Sequence, residues 1–111
     1  MKVFSNTQKI AIMRILLDII YADERIDFRE TKYYDKLAKE LELPEESKER
    51  IMRKSSLIAL LDIKNFTDEQ KSYFAKLMDT MIKVDEDINI NEVAIYDVVI
   101  DFCSISLPFE A

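Results

Sequence analysis

The chain of 111 residues contains no glycine. Glycine is the residue that takes positive φ without steric cost, and tight turns depend on it. A chain with no glycine, two prolines and 34% charged residues favours helices over a turn-rich β fold. The same absence excludes a phosphate-cradling P-loop and a Rossmann fingerprint, because both need backbone that approaches the ligand bare of side chain. There is no histidine, so a Ser-His-Asp triad, a Cys-His pair and histidine-ligated zinc are excluded too. A single cysteine, Cys103, leaves no internal disulfide and no Cys-x-x-Cys site. The formal charge of −6 argues against non-specific binding to nucleic acid or to an anionic membrane. Any site has to be built mainly from carboxylates, hydroxyls, amides, lysine and arginine.

The apolar spacing predicts helices along the whole chain. From about Asn6 to Ala22, Ile10, Met13, Leu16, Leu17 and Ile20 share one face, which Ile12, Ile15 and Ile19 widen. This helix is expected to be central, with Arg14 and Asp18 as its solvent stripe. A second helix is expected from about Phe28 to Leu41. Pro44 suits the first position of a third, short helix to about Lys54. Ser55 or Ser56 caps a fourth over Leu57 to Asp62. Thr67, with Gln70 three residues on, forms a capping box for a fifth helix to about Val84, whose Phe74, Leu77, Met78, Met81 and Ile82 face inward. The last helix, about Ile90 to Cys103, is rich in β-branched residues and by propensity alone reads as a strand. A capping box at its start and the repeat below decide for helix. The tail beyond Ser104, with Pro108 and Phe109, either packs back or frays. Residues 1–111 therefore read as one compact all-α domain of about six to seven helices.

The apolar run Ile10 to Ile20 is too short for a membrane span and is interrupted by Arg14 and Asp18. A lone cysteine in an apolar stretch fits a reducing compartment, so a cytoplasmic location is expected.

Residues 15–37 align with 77–99 at an offset of 62. The two junctions, 22–30 and 84–92, share Asp, Glu, Ile and Glu at the first, second, fourth and eighth places after Ala22 and Val84. Tyr34-Asp35 also matches Tyr96-Asp97. The chain thus reads as two related helical hairpins. Asp27 with Glu30, and Asn89 with Glu92, each have the form of a capping box, with a short acceptor at the N-cap and a carboxylate at N3 reaching back. Ile26 and Ile88 precede the caps and are placed to staple onto the following helix. Asp23 and Asp85 are placed to accept loop N–H bonds.

On these residues the chain resembles the tellurite-resistance TerB-like family. That family is all-helical, with about seven helices, and carries an Ala-Asp-Gly-x-Ile-x-x-x-Glu motif twice at matching junctions. Asp23, Ile26 and Glu30 fit one copy, and Asp85, Ile88 and Glu92 the other, over a resemblance spanning roughly residues 8–104. Glu24 and Glu86 stand where the motif has glycine, and a left-handed turn costs more for glutamate. The resemblance implies a stress-response module that associates with metal through acidic residues, without a settled activity.

Three functional readings follow. An EF-hand fails on register: loop positions 1 and 3 would fall on Ile19 and Tyr21, or on Met81 and Lys83, and position 6 lacks glycine. A composite site is open if the hairpins pack two-fold, so that Asp23, Glu30, Asp85 and Glu92 converge on a hard cation such as Ca²⁺, Mg²⁺ or Mn²⁺. Alternatively, these four only bond turn and helix N–H groups and complement the helix dipole. Finally, residues 79–101 hold Asp79, Asp85, Glu86, Asp87, Glu92, Asp97 and Asp101 against Lys83 alone, while the rest of the chain is charge-balanced. That surface is expected to receive a protein partner, unless it is simply solvated. Lys48, Arg50, Arg53 and Lys54 read as ordinary helix surface, and Cys103 as a buried, inert thiol. No carboxylate pair is singled out for hydrolysis, so no catalytic residue is assigned and no enzymatic activity is expected. Apolar residues on more than one face of the last helix leave a homodimer open.

Overall fold

The computed structural model describes residues 3–23 and 25–110. Among the described residues six helices make up the fold: α1 (Asn6–Ile20), α2 (Phe28–Glu40), α3 (Ser47–Arg53), α4 (Ser56–Lys64), α5 (Asp68–Lys83) and α6 (Ile90–Phe102). Among the described residues there is no strand. No helix of the described residues is long and apolar enough to cross a membrane.

Helix α1 is the axle of a single all-α domain. Its two apolar faces are both buried, from Ile10 through Ile20, and it touches each of the other five helices. Arg14 and Asp18 are not a solvent stripe. The Arg14 guanidinium donates to Asp18 at 2.6 Å and to the carbonyls of Ile51 and Met52, while the Ser56 hydroxyl donates to Asp18 at 2.6 Å. Together they form a half-buried polar seam that seats α3 and α4 on α1.

Helix α3 starts at Ser47 rather than at Pro44. The Leu43 N–H is committed to the Ala38 carbonyl and the Glu42 N–H to Lys39, which closes α2 with a Schellman motif. Pro44 can then only open a turn, whose carbonyl accepts the Ser47 N–H at 2.9 Å. Helix α6 forms despite its β-branched run, because Tyr96, Val99 and Cys103 anchor one stripe in the core. The cap of α5 has both bonds of the box, Gln70 N–H to Thr67 Oγ1 at 3.1 Å and Thr67 N–H to Gln70 Oε1 at 3.0 Å. The same arrangement at Ser5 and Gln8, not anticipated from the sequence, opens α1.

The repeat reaches further than the sequence match. The N-caps Ser5 and Thr67, the N-caps Asp27 and Asn89, and the left-handed closing residues Glu42 and Ser104 all stand 62 positions apart. Ile105 N–H bonds Ile100 O at 2.8 Å just as Leu43 bonds Ala38. Helices α3 and α4 are inserted between the two hairpins. The equivalent residues Gln8 and Gln70 touch each other at 3.4 Å, which places them beside a pseudo-two-fold axis.

Three residues other than glycine take positive φ among those described: Glu42 (57°), Glu86 (65°) and Ser104 (58°). The fold thus keeps left-handed helix ends without the residue that makes them cheap. Glu86 adopts the conformation that the motif's glycine would allow; Glu24 lies outside the described residues.

Both ends of the described chain pack. Phe4 stacks on Phe66 and Tyr73 with ring centres 5.6 and 5.7 Å away. The tail does not fray. Ile105 is buried, the Tyr96 hydroxyl donates to Leu107 O at 2.6 Å, and the Phe109 ring meets Tyr96 edge-on at 5.4 Å.

Candidate functional site

The two junctions meet. Glu30 on the first turn of α2 and Glu92 on the first turn of α6 are each 1% exposed, and their side chains hydrogen-bond to each other. This corrects the expectation that they close capping boxes. Asp27 does cap α2, accepting the Arg29 N–H at 2.7 Å, and Asn89 caps α6 through Asn91 and Glu92. No reciprocal bond from the N3 glutamates forms, because both side chains turn inward toward the axis instead. Ile26 and Ile88 are exposed and staple nothing firmly.

Burial raises the pKa of both glutamates. The Glu92 carboxyl is pushed up to about 9, first by burial, then by its hydrogen bond to Glu30, and further by the charges of Glu30, Asp85 and Asp23. Glu30 is raised by burial as well, but the same hydrogen bond works the other way on it. Glu92 therefore keeps a proton at neutral pH and shares it with Glu30. One oxygen of each, Glu30 Oε2 and Glu92 Oε1, is buried without a hydrogen-bond partner among the described residues.

Outside this pair lies a cleft of about 380 Å³ whose carboxylates come from both junctions: Asp23 and Asp27 from the first, Asp85 and Asp87 from the second. Asp85 accepts the Asp87 N–H at 3.0 Å, in the turn-stabilising role expected of it. Arg29 also lines the cleft. It holds Asp27 through two contacts, at 3.2 and 3.3 Å, which keeps the Asp27 carboxyl below its ordinary range. Asp85 and Glu86 of the opposite junction act on Arg29 in turn. Among the described residues, no three His, Cys, Asp or Glu side chains stand together as a ready metal-ligand set.

The acidic surface is narrower than its sequence. Glu92 is buried, and Asp79 is paired with Lys83 at 3.0 Å. Glu86, Asp87, Asp97 and Asp101 remain exposed. In the basic cluster, Lys48 pairs with Glu45, Arg53 with Glu49 and Lys54 with Asp62, as an ordinary helix surface would. Cys103 is buried with its thiol raised by burial, and it donates weakly to Leu60 O at 3.6 Å.

The sequence left Glu30 and Glu92 with two readings, convergence at a two-fold junction or caps of their own helices, because an inward glutamate at N3 and a capping one share the same spacing. The available signal was symmetry. Identical residues in both copies of a two-fold repeat are candidates to meet at its axis.

Fold and site together define a domain of two pseudo-symmetric helical hairpins joined at a buried carboxyl pair. Its fold is shared with a crystal structure of a protein of unknown function, PG1108 from Porphyromonas gingivalis W83, with a TM-score of 0.78 and 18% identity, over 98% of this chain and 93% of that one. No protein-family model and no curated protein matches the chain.

Proposed function

We propose that the chain is a non-enzymatic module of the TerB-like type whose paired junctions take up a hard divalent cation. The observation that carries this is the Glu30–Glu92 pair, with one unpartnered buried oxygen on each and with Asp23 and Asp85 at the mouth. Carboxylates this close cannot all stay ionised, so without a cation a proton bridges two of them. A Ca²⁺, Mg²⁺ or Mn²⁺ ion would replace that proton, and water would complete its shell where fewer than four carboxylates reach it. Non-catalytic use fits the depth of the pair, which no substrate can touch while both side chains are 1% exposed.

The test is thermal melting in EDTA and in each of Ca²⁺, Mg²⁺, Mn²⁺ and Zn²⁺, at two pH values. A bound cation at 100 times its Kd adds about 2.7 kcal/mol. The shift is expected to grow with pH and to disappear in Glu92→Gln. If no cation moves the transition at either pH, the cation reading is lost.

A second reading is recognition of a basic protein partner, favoured by the exposure of Glu86, Asp87, Asp97 and Asp101. A partner held by the native chain and still held by the double variant D97K/D101K would overturn it.

A further inference from the structure

The two repeats are equivalent in backbone but opposite in surface charge. On the outer face of α6, Ile90 (80% exposed), Ala94 and Val98 (60% exposed) form an apolar stripe beside Asp97 and Asp101, and no cation lies on this helix. The same positions of α2 hold Phe28 (75% exposed), Lys32 and Lys36, beside Asp35 and Lys39. Phe28 and Ile90 open the two helices at equivalent places, 62 residues apart, and both are left in solvent.

The inserted helix α4 breaks the symmetry. It lies against α1 and α6, where Leu60 shares a hollow with Ile15, Ile95 and Val99. Among the described residues, no helix takes the corresponding place against α5 and α2. A trough of about 710 Å³ stays open there, floored by Phe28, Tyr33 and Val84 and rimmed by Lys32, Lys36 and Lys39. Arg29, Asp35 and Glu40 line it too, so cations outnumber acids there by four to two; among the described residues Lys36 meets Glu40 loosely, at 3.9 Å.

We propose that the trough on α2 receives the acidic stripe of α6 from a second copy of this chain. Lysines meet Asp97 and Asp101, while Ile90 and Val98 cover the apolar floor. Charge complementarity chooses the occupant. An anionic membrane would meet the lysines but leave the acidic stripe uncovered, and a contact of α6 with α6 would set Asp97 and Asp101 against like charges. The contact is heterologous, α2 of one copy against α6 of the next. The proposal rests on the partner-surface reading above and names its partner.

The experiment is sedimentation equilibrium of the full chain, from micromolar to near-millimolar concentration, at low and high salt. The average mass is expected to rise with concentration at low salt and to fall back at high salt, where exposed charges are screened. The variants D97K/D101K and K32E/K36E, each checked for an unchanged melting transition, are expected to self-associate at least about tenfold more weakly. An equimolar mixture of the two is expected to recover association, since each then supplies one intact face of opposite sign. A chain that stays monomeric at low salt, or a mixture no better than its components, overturns the proposal. If the native chain is monomeric yet D97K/D101K loses a different partner, the acidic-surface reading survives and this inference alone falls.

Discussion

Glu30 and Glu92, equivalent residues of two repeats, hydrogen-bond to each other in the core, with Glu92 holding the proton. A pair of this kind costs the folded state free energy whenever the solution asks both groups to ionise.

Stability is therefore expected to rise on acidification from alkaline pH. The unfolded chain releases the Glu92 proton near its ordinary value of 4.5, whereas the native chain keeps it to about 9. Between those values the unfolded state binds fewer protons, so native stability is fully present below about 4.5 and is lost as pH climbs toward 9. One proton sets a ceiling of about 1.4 kcal/mol per pH unit on the slope. Urea denaturation across this window checks it. Glu92→Gln, whose amide still donates to Glu30, is expected to flatten the profile, and an unchanged slope would contradict the assignment.

Removing one member of the pair should cost more than removing a cap. Glu30→Ala leaves the Glu92 hydroxyl without its acceptor and opens a cavity, for a loss of about 2–4 kcal/mol. Asp27→Ala removes a half-buried N-cap acceptor and its surface pairing with Arg29, and should cost about 1 kcal/mol, with or without a cation. Equal costs for the two would restore Glu30 to a capping role.

Glu86 carries a left-handed turn at φ 65°. Glu86→Gly relieves about 1–2 kcal/mol of backbone strain but frees the unfolded chain by a fraction of that. A net gain of about 0.5–1 kcal/mol is expected by chemical denaturation. Glu86→Ala, which keeps the Cβ, should give none of it.

The tail is held by Tyr96. Tyr96→Phe removes the 2.6 Å bond to Leu107 O and should cost about 1 kcal/mol. Phe109→Ala loses the edge-on ring contact and the Lys83 ammonium seated 5.0 Å from the Phe109 ring centre, at about 1–2 kcal/mol. The two losses should fall short of adding, because both release the same segment. Additive losses would show the tail is held elsewhere.

Much of this was legible in the sequence. Apolar spacing gave all six helices to within a few residues, except for the start of α3, and it gave the core face of α5 apart from the buried Ala75. The offset of 62 announced two hairpins, and the Thr67–Gln70 box stands as read. These features are local: periodicity, caps and turn closures depend on residues within one or two turns of each other.

What the sequence by itself could not decide is which way a side chain faces when both directions satisfy the local pattern. At N3, Glu30 can reach back to Asp27 or inward to a partner 62 residues away, and the choice is made only when the second hairpin arrives. Arg14 and Asp18 look solvated along their own helix and become a half-buried seam once Ser56 and the end of α3 are laid against them. The sequence determined the helices, the repeat and the absence of glycine-built sites. Tertiary structure decided that two identical glutamates meet at the pseudo-two-fold axis, because burial and mutual repulsion exist only between elements already packed together.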